Sequence, residues 1–133
     1  MILLDTHVLL WLDREDPALG PTSRELIRTA WGEGSVAVCA ITFWEVAMLA
    51  LRGRIDLRQS PESWRLDWLQ AGLEEIPLDG ALAVAATALV DFHPDPADRF
   101  IVATALAQSA TLVTADQAIL AWPGPLLRQA AGR

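Results

Sequence analysis

Short apolar runs alternate along this chain with longer stretches of helical character. Residues 2–4 (Ile-Leu-Leu), 35–40 (Ser-Val-Ala-Val-Cys-Ala), 73–78 (Leu-Glu-Glu-Ile-Pro-Leu) and 111–115 (Thr-Leu-Val-Thr-Ala) are too short for stable helices. They read as buried strands. Leu126 and Leu127, after the turn Pro123-Gly124-Pro125, are read as a last edge strand. Helices are predicted over 5–12, 21–32, 42–51, 60–70, 79–90 and 96–109, and a short one opens at Asp116. Thr22 with Glu25, and Thr42 with Glu45, match the reciprocal capping pattern S/T-x-x-E. Pro96 suits a first helical turn. Strands alternating with helices predict an α/β fold: four or five short parallel strands flanked by about seven helices. No repeat or linker divides residues 1–133, which suits one domain with one core. Right-handed crossovers place all carboxyl ends of the strands on one edge, where such folds bind ligands.

Acids recur at that edge. Asp5 ends the first strand, Asp116 follows the fourth, and Glu45 and Asp98 fall in first helical turns. Each has an ordinary explanation as a cap or as a complement to a helix dipole. Asp79, between a strand and a helix, obeys the same grammar and shows nothing beyond a cap. Convergence is the second explanation: four carboxylates on one edge repel and raise each other's pKa. A divalent cation removes that penalty, and Mg²⁺ or Mn²⁺ prefers such oxygen donors. At this stage the cap and ligand readings both stand.

Composition narrows the field. The formal net charge of −7 argues against broad nonspecific binding to nucleic acid, which needs phosphate neutralisation. All ten basic residues are arginine. Arg52, Arg54 and Arg58 cluster, either as a solvated helix end or as phosphate contacts. Cys39 is the single cysteine, read as a core residue in a reducing, cytoplasmic setting. No apolar run reaches the roughly 18 residues a membrane span needs, and no positively charged signal-peptide start is present. There is no glycine-rich phosphate loop and no G-x-S-x-G elbow. His7 and His93 are too few and too isolated to suggest zinc; His93 is read as part of the loop that presents Asp95. A receiver-type signalling domain would need a lysine, and a D-x-D phosphatase an acid where His7 stands. Core packing is the expectation for most of Trp11, Trp31, Trp44, Trp64, Trp68 and Trp122.

Four motifs in order carry a family resemblance: "LLDTHVLLW" from Leu3, "TFWE" from Thr42, "DPADRFIVATA" from Asp95 and "LVTAD" ending at Asp116. Together they resemble the PIN domain, and specifically VapC-type toxins of toxin–antitoxin pairs, over nearly the whole chain. The resemblance implies a three-layer PIN-like domain with Mg²⁺-dependent ribonuclease activity, Mn²⁺ being an alternative ion. Asp5, Glu45, Asp98 and Asp116 match the family's metal-holding acids. Thr114 matches a small hydroxyl residue beside the last acid, suited to holding a water or a neighbouring carboxylate. Arg99 matches a basic residue that either pairs with an acid or touches RNA. Asp95 is a supporting acid or a cap. Arg52 and Arg54 would contact the RNA backbone. A cognate VapB-like antitoxin and a homodimer are the implied partners, with no membrane. A housekeeping PIN nuclease and a catalytically silent PIN-like binding domain are the alternatives.

Overall fold

A computed structural model describes residues 1–133. Its first strand, β1 (Ile2–Leu4), is central in the sheet and leads into α1 (Thr6–Asp13). Helix α2 (Pro21–Gly32), strand β2 (Val36–Cys39) and helices α3 (Ile41–Leu51) and α4 (Pro61–Gln70) follow. Next come β3 (Glu74–Ile76), α5 (Gly80–Thr87), α6 (Pro96–Ala107), β4 (Thr111–Thr114), α7 (Gln117–Ala121) and β5 (Arg128–Ala130). All five strands are parallel, in the order β3-β2-β1-β4-β5. The fold is the three-layer α/β sandwich expected of a PIN-like chain. No helix is long and apolar enough to cross a membrane.

Side-chain alternation builds the layers. Ile2 and Leu4, Val36 and Val38, and Val113 point to one face, where α1, α2, α3 and α4 supply Leu9, Ile27, Val46 and Trp64. Leu3, Ala37, Cys39 and Leu112 point to the other, against Leu82 of α5, Ile101 and Val102 of α6, and Ile119 of α7. A strand with both faces covered must be apolar throughout. That is why β1, β2 and most of β4 read as unbroken apolar runs. Cys39 lies in this core and is unpaired.

The last strand lies further along than the sequence pattern indicated. Pairing reaches Leu127 through its carbonyl, which accepts from Leu112 N–H at 2.9 Å, but the strand is Arg128–Ala130. Leu126 is a buried core residue. Hydropathy hides β5 because its first residue is an arginine. The Arg128 guanidinium donates to the carbonyls of Ile119, Trp122 and Gly124 at 2.7–2.9 Å. It closes the carboxyl end of α7 and is half-buried there.

Two other boundaries are corrected. The Thr22–Glu25 capping box is not made: Gly20 is the N-cap of α2 and contributes no side-chain bond. Glu25 instead pairs with exposed Arg28. The open N–H groups are met by the other end of the chain. Gly20 N–H donates to Ala131 O at 2.8 Å, Thr22 N–H to Arg133 O at 2.7 Å, and the Ser23 hydroxyl to Ala130 O at 3.0 Å. Helix α5 ends at Thr87, not near Val90. The carbonyls of Ala86 and Leu89 turn to the Arg99 guanidinium, and Asp91 takes φ of 57°.

The seat of the C-terminal residues on α2 is tight. A Cβ on Gly20 would come within 2.4 Å of the Arg133 carbonyl carbon and 2.5 Å of Gly132 O. Gly20→Ala should therefore destabilise the protein by about 1–3 kcal/mol. Gly32→Ala, facing open space at the end of the same helix, should be neutral or stabilising by up to ~1 kcal/mol. Urea denaturation of both variants reads the contrast; equal stabilities would show that the C-terminal residues do not seat there.

Candidate functional site

The site begins at the carboxyl ends of β1 and β4, the two strands that meet where the strand order reverses. Asp5 follows β1 directly and is only 6% exposed. Its backbone N–H extends the pairing to Val113 O at 3.0 Å. Its carboxylate accepts from Thr6 N–H at 2.8 Å and from the Thr114 hydroxyl at 2.6 Å. Thr114 in turn accepts from Asp116 N–H at 3.0 Å. One buried hydroxyl thus ties the first acid to the backbone of the last. Asp116 also caps α7, accepting from Ile119 N–H at 3.1 Å.

Helix α3 brings the next acid. Its N-cap is Ala40 with no side-chain bond, so Thr42 and Glu45 do not form the capping box their spacing suggested. The helix starts one residue earlier, and both side chains are released toward α1. Thr6 donates its hydroxyl to Glu45 Oε1 at 2.5 Å. Having one hydrogen to give, Thr6 then accepts from the Thr42 hydroxyl at 3.1 Å. Thr6 and Thr42 are both buried, so this chain fixes Glu45 relative to Asp5.

The third contribution is the loop before α6. Asp95 is the N-cap of α6, accepting from Ala97 N–H at 3.0 Å and more weakly from Asp98 N–H at 3.5 Å. Asp98 lies in the first turn. Behind it, Arg99 meets neither an acid nor the cavity. Its guanidinium donates to His93 O at 2.9 Å, Phe92 O at 2.6 Å and Ala86 O at 3.0 Å, and it lies over the Phe92 ring. The two roles expected of Arg99 give way to a third, a clamp on the carbonyls of the loop that carries His93 to Asp95. Arginine suits this because its fork gathers several carbonyls at once.

These pieces border one cavity of about 310 Å³, lined by Asp5, Glu45, Asp95, Asp98 and Asp116 together with Thr6, His7, Trp11 and Ala115. Electrostatics follow from the crowding. Asp98 is pushed up to about 8, first by its partial burial and then by the charges of Asp5, Asp95, Asp116 and Glu45. Asp5 is raised chiefly by burial, against the lowering effect of its bonds from Thr114 and Thr6. Glu45 is raised by burial, and its bond from Thr6 again opposes the shift.

The tightest group is not the four acids read from the sequence. One ligand atom each of His93, Asp98 and Asp116 lies within 4.8 Å of the others. His93 Nε2 is 3.2 Å from Asp98 Oδ2. Sequence reading left His93 and Thr6 out of the site; only the position of His93 two residues before Asp95 hinted at it. Arg52 and Arg54 are exposed beyond the far end of α3. They lie seven and nine residues from Glu45, roughly 10 Å or more along the axis, and do not line the cavity. Asp79 is exposed and caps α5 through Leu82 N–H at 2.9 Å, and it does not line the cavity. Of the tryptophans, Trp64 and Trp122 are core residues, whereas Trp44, beside Glu45, is 58% exposed.

The donor set suits a hard divalent cation. Five carboxylates crowd a cavity that no arginine lines and that only His7 partly offsets, and Asp98, half-buried among them, is pushed up to about 8. An ion such as Mg²⁺ or Mn²⁺ fits these oxygens.

Known proteins resemble this chain in sequence and fold. A PIN domain family model matches residues 2–122. Ribonuclease VapC22 of Mycobacterium tuberculosis is 37% identical over 117 residues, 87% of each chain. The crystal structure of VapBC2 from Rickettsia felis, bound to a DNA fragment from its promoter, superposes with a TM-score of 0.72. That match covers 97% of this chain and 98% of the other at 18% identity, a likeness of fold alone. FitAcB from Neisseria gonorrhoeae superposes with a TM-score of 0.56 at 26% identity, covering 98% of both chains. The chain belongs to the PIN domain family, as a VapC-type member.

Proposed function

We propose that the protein is a metal-dependent endoribonuclease and the growth-inhibiting toxin of a VapBC-like pair, built as one nuclease domain over residues 1–133. The observation that carries this reading is the shared cavity of Asp5, Glu45, Asp98 and Asp116, with Asp95 beside them. Similarity to a ribonuclease along 87% of the chain supports the activity. Likeness to a toxin–antitoxin complex from Klebsiella pneumoniae, with a TM-score of 0.66, is consistent with the pairing. The reading extends to a cytoplasmic homodimer held in check by a VapB-like antitoxin.

Asp5, Glu45, Asp98 and Asp116 would hold the Mg²⁺ or Mn²⁺. When bound, the cation supplies charge neutralisation at phosphorus and lowers the pKa of a water. The chain's own residues do the positioning. Thr114 keeps one oxygen of Asp5 engaged and Thr6 N–H the other, which fixes the carboxylate's plane. Thr6 holds one oxygen of Glu45 and leaves the second unbonded within the chain. Trp11 closes one wall of the cavity with an apolar surface. Arg52 and Arg54, exposed and outside the three ion pairs of the chain, are proposed as contacts for RNA phosphates flanking the site.

Cleavage of RNA should require Mg²⁺ or Mn²⁺ and stop in EDTA. Asp5→Asn and Asp98→Asn should each lower the rate by more than about 100-fold, beyond what loss of a supporting residue costs. Asp79→Asn should retain it. Full activity in both site variants would sink the metal-site reading.

Expression in a bacterial host should arrest growth, and co-expression of the antitoxin from an adjacent reading frame should relieve the arrest. RNA cleavage without any growth effect would point to a housekeeping nuclease instead.

Stability should carry the mark of the crowded acids. Between about pH 4 and pH 8 the folded protein keeps the Asp98 proton that the unfolded chain has lost. The unfolded state then binds fewer protons, so stability falls as pH rises through this window. Melting temperatures of metal-free protein should therefore drop from pH 5 to pH 8, and Asp98→Asn should flatten the slope. Added Mn²⁺ should raise the melting temperature more at pH 8 than at pH 5.

A further inference from the structure

Asp98 has two neighbours that the four-acid reading does not use. One is Asp95, whose carboxylate is engaged as a helix cap. The other is His93. Its ring is partly exposed, yet its Nε2 is enclosed by protein and has no hydrogen-bond partner. A buried nitrogen without a partner is costly and calls for an explanation. The Asp98 oxygen at 3.2 Å is a close charge contact but not a hydrogen bond.

That spacing has another meaning. Two adjacent ligands of an octahedral ion, each roughly 2.1–2.2 Å from it, stand about 3 Å apart without bonding to each other. Asp116 completes the group, with all three ligand atoms within 4.8 Å of one another. The ring is also held in place from behind. It stacks on Phe92, with centroids 4.5 Å apart and planes inclined by 34°. Phe92 packs edge-on against Trp122, and Arg99 grips the carbonyls of both Phe92 and His93. Trp122 Nε1–H donates to Val90 O at 2.7 Å and braces the same loop. Locked supporting contacts of this kind are what a metal ligand requires.

We propose that His93 is a nitrogen ligand of the divalent cation, completing with Asp98 and Asp116 a mixed nitrogen–oxygen site. The inference rests on the reading of this cavity as a metal site. It makes Arg99 a positioning residue, acting on the ion through the loop that carries His93. It also sets the ion preference: Mn²⁺ accepts an imidazole more readily than Mg²⁺ does, so this site favours Mn²⁺.

Electron spin-echo spectroscopy of Mn²⁺ bound to the full-length protein, without RNA, tests the assignment. The wild type should show a nitrogen coupling of the imidazole type. The chain has two histidines, and His7 also lines the cavity, so both are substituted. The coupling should vanish in His93→Gln and persist in His7→Gln. Calorimetric titration should show Mn²⁺ affinity falling by about tenfold or more in His93→Gln, with a smaller loss for Mg²⁺. Arg99→Lys should broaden the nitrogen signal without abolishing Mn²⁺ binding. Mn²⁺ bound without nitrogen coupling in the wild type would overturn the role of His93 and leave the carboxylate site intact. A coupling lost in His7→Gln instead would overturn it equally. Failure of the wild type to bind Mn²⁺ or Mg²⁺ at all would bring down the metal-site reading as well.

Discussion

The Asp5 carboxylate, buried at the end of the central strand, is the constraint on which the rest of the site depends. A charge there is unfavourable unless hydrogen bonds and a counter-charge compensate for lost water. The fold supplies the bonds. Thr114 and Thr6 reach the two oxygens, and each of these threonines then contacts a second acid: the backbone of Asp116 in one case, the side chain of Glu45 in the other. Fixing Asp5 therefore fixes the relative placement of three acids from three segments of the chain. The fold supplies only His7 as a counter-charge within the cavity, and burial together with the neighbouring acids raises Asp98.

Two arginines show how the scaffold around the site is closed. Arg99 and Arg128 each donate to several main-chain carbonyls near helix ends or in loops. Helix carboxyl termini leave carbonyls unmatched, and here side-chain forks take the place of glycine-based caps. From the sequence, Arg99 reads as a candidate for pairing with an acid or touching RNA. The use of both arginines on neutral carbonyls leaves the acidic cavity without an arginine, which preserves its appetite for a metal ion.

Residue spacing made much of this legible in advance. Unbroken apolar runs at β1, β2 and β4 announced strands buried on both faces, and strand–helix alternation gave the parallel sheet. The acids at strand ends and first turns were visible for the same reason, since parallel topology sends all those positions to one edge. Asp79 shows the limit of that logic. It has the same local grammar as Asp116 and the same capping bond, yet it follows β3, the edge strand, and does not line the cavity. Glu45 shows the reverse case. Its sequence neighbourhood spelled a cap, but the helix began one residue earlier and the side chain turned to Thr6.

The sequence by itself determined the layers, the parallel sheet and the set of acids available to its carboxyl edge, because these follow from short-range periodicity and chain connectivity. Only the tertiary structure decided which partners each polar group would find. It assigned Arg99 to carbonyls, began β5 at a half-buried arginine, seated the last residues on α2, and brought the His93 nitrogen beside Asp98. Those outcomes depend on distances between segments far apart in the chain, such as the 109 residues between Asp5 and Thr114. No local pattern encodes them; packing of the two apolar faces against the sheet does.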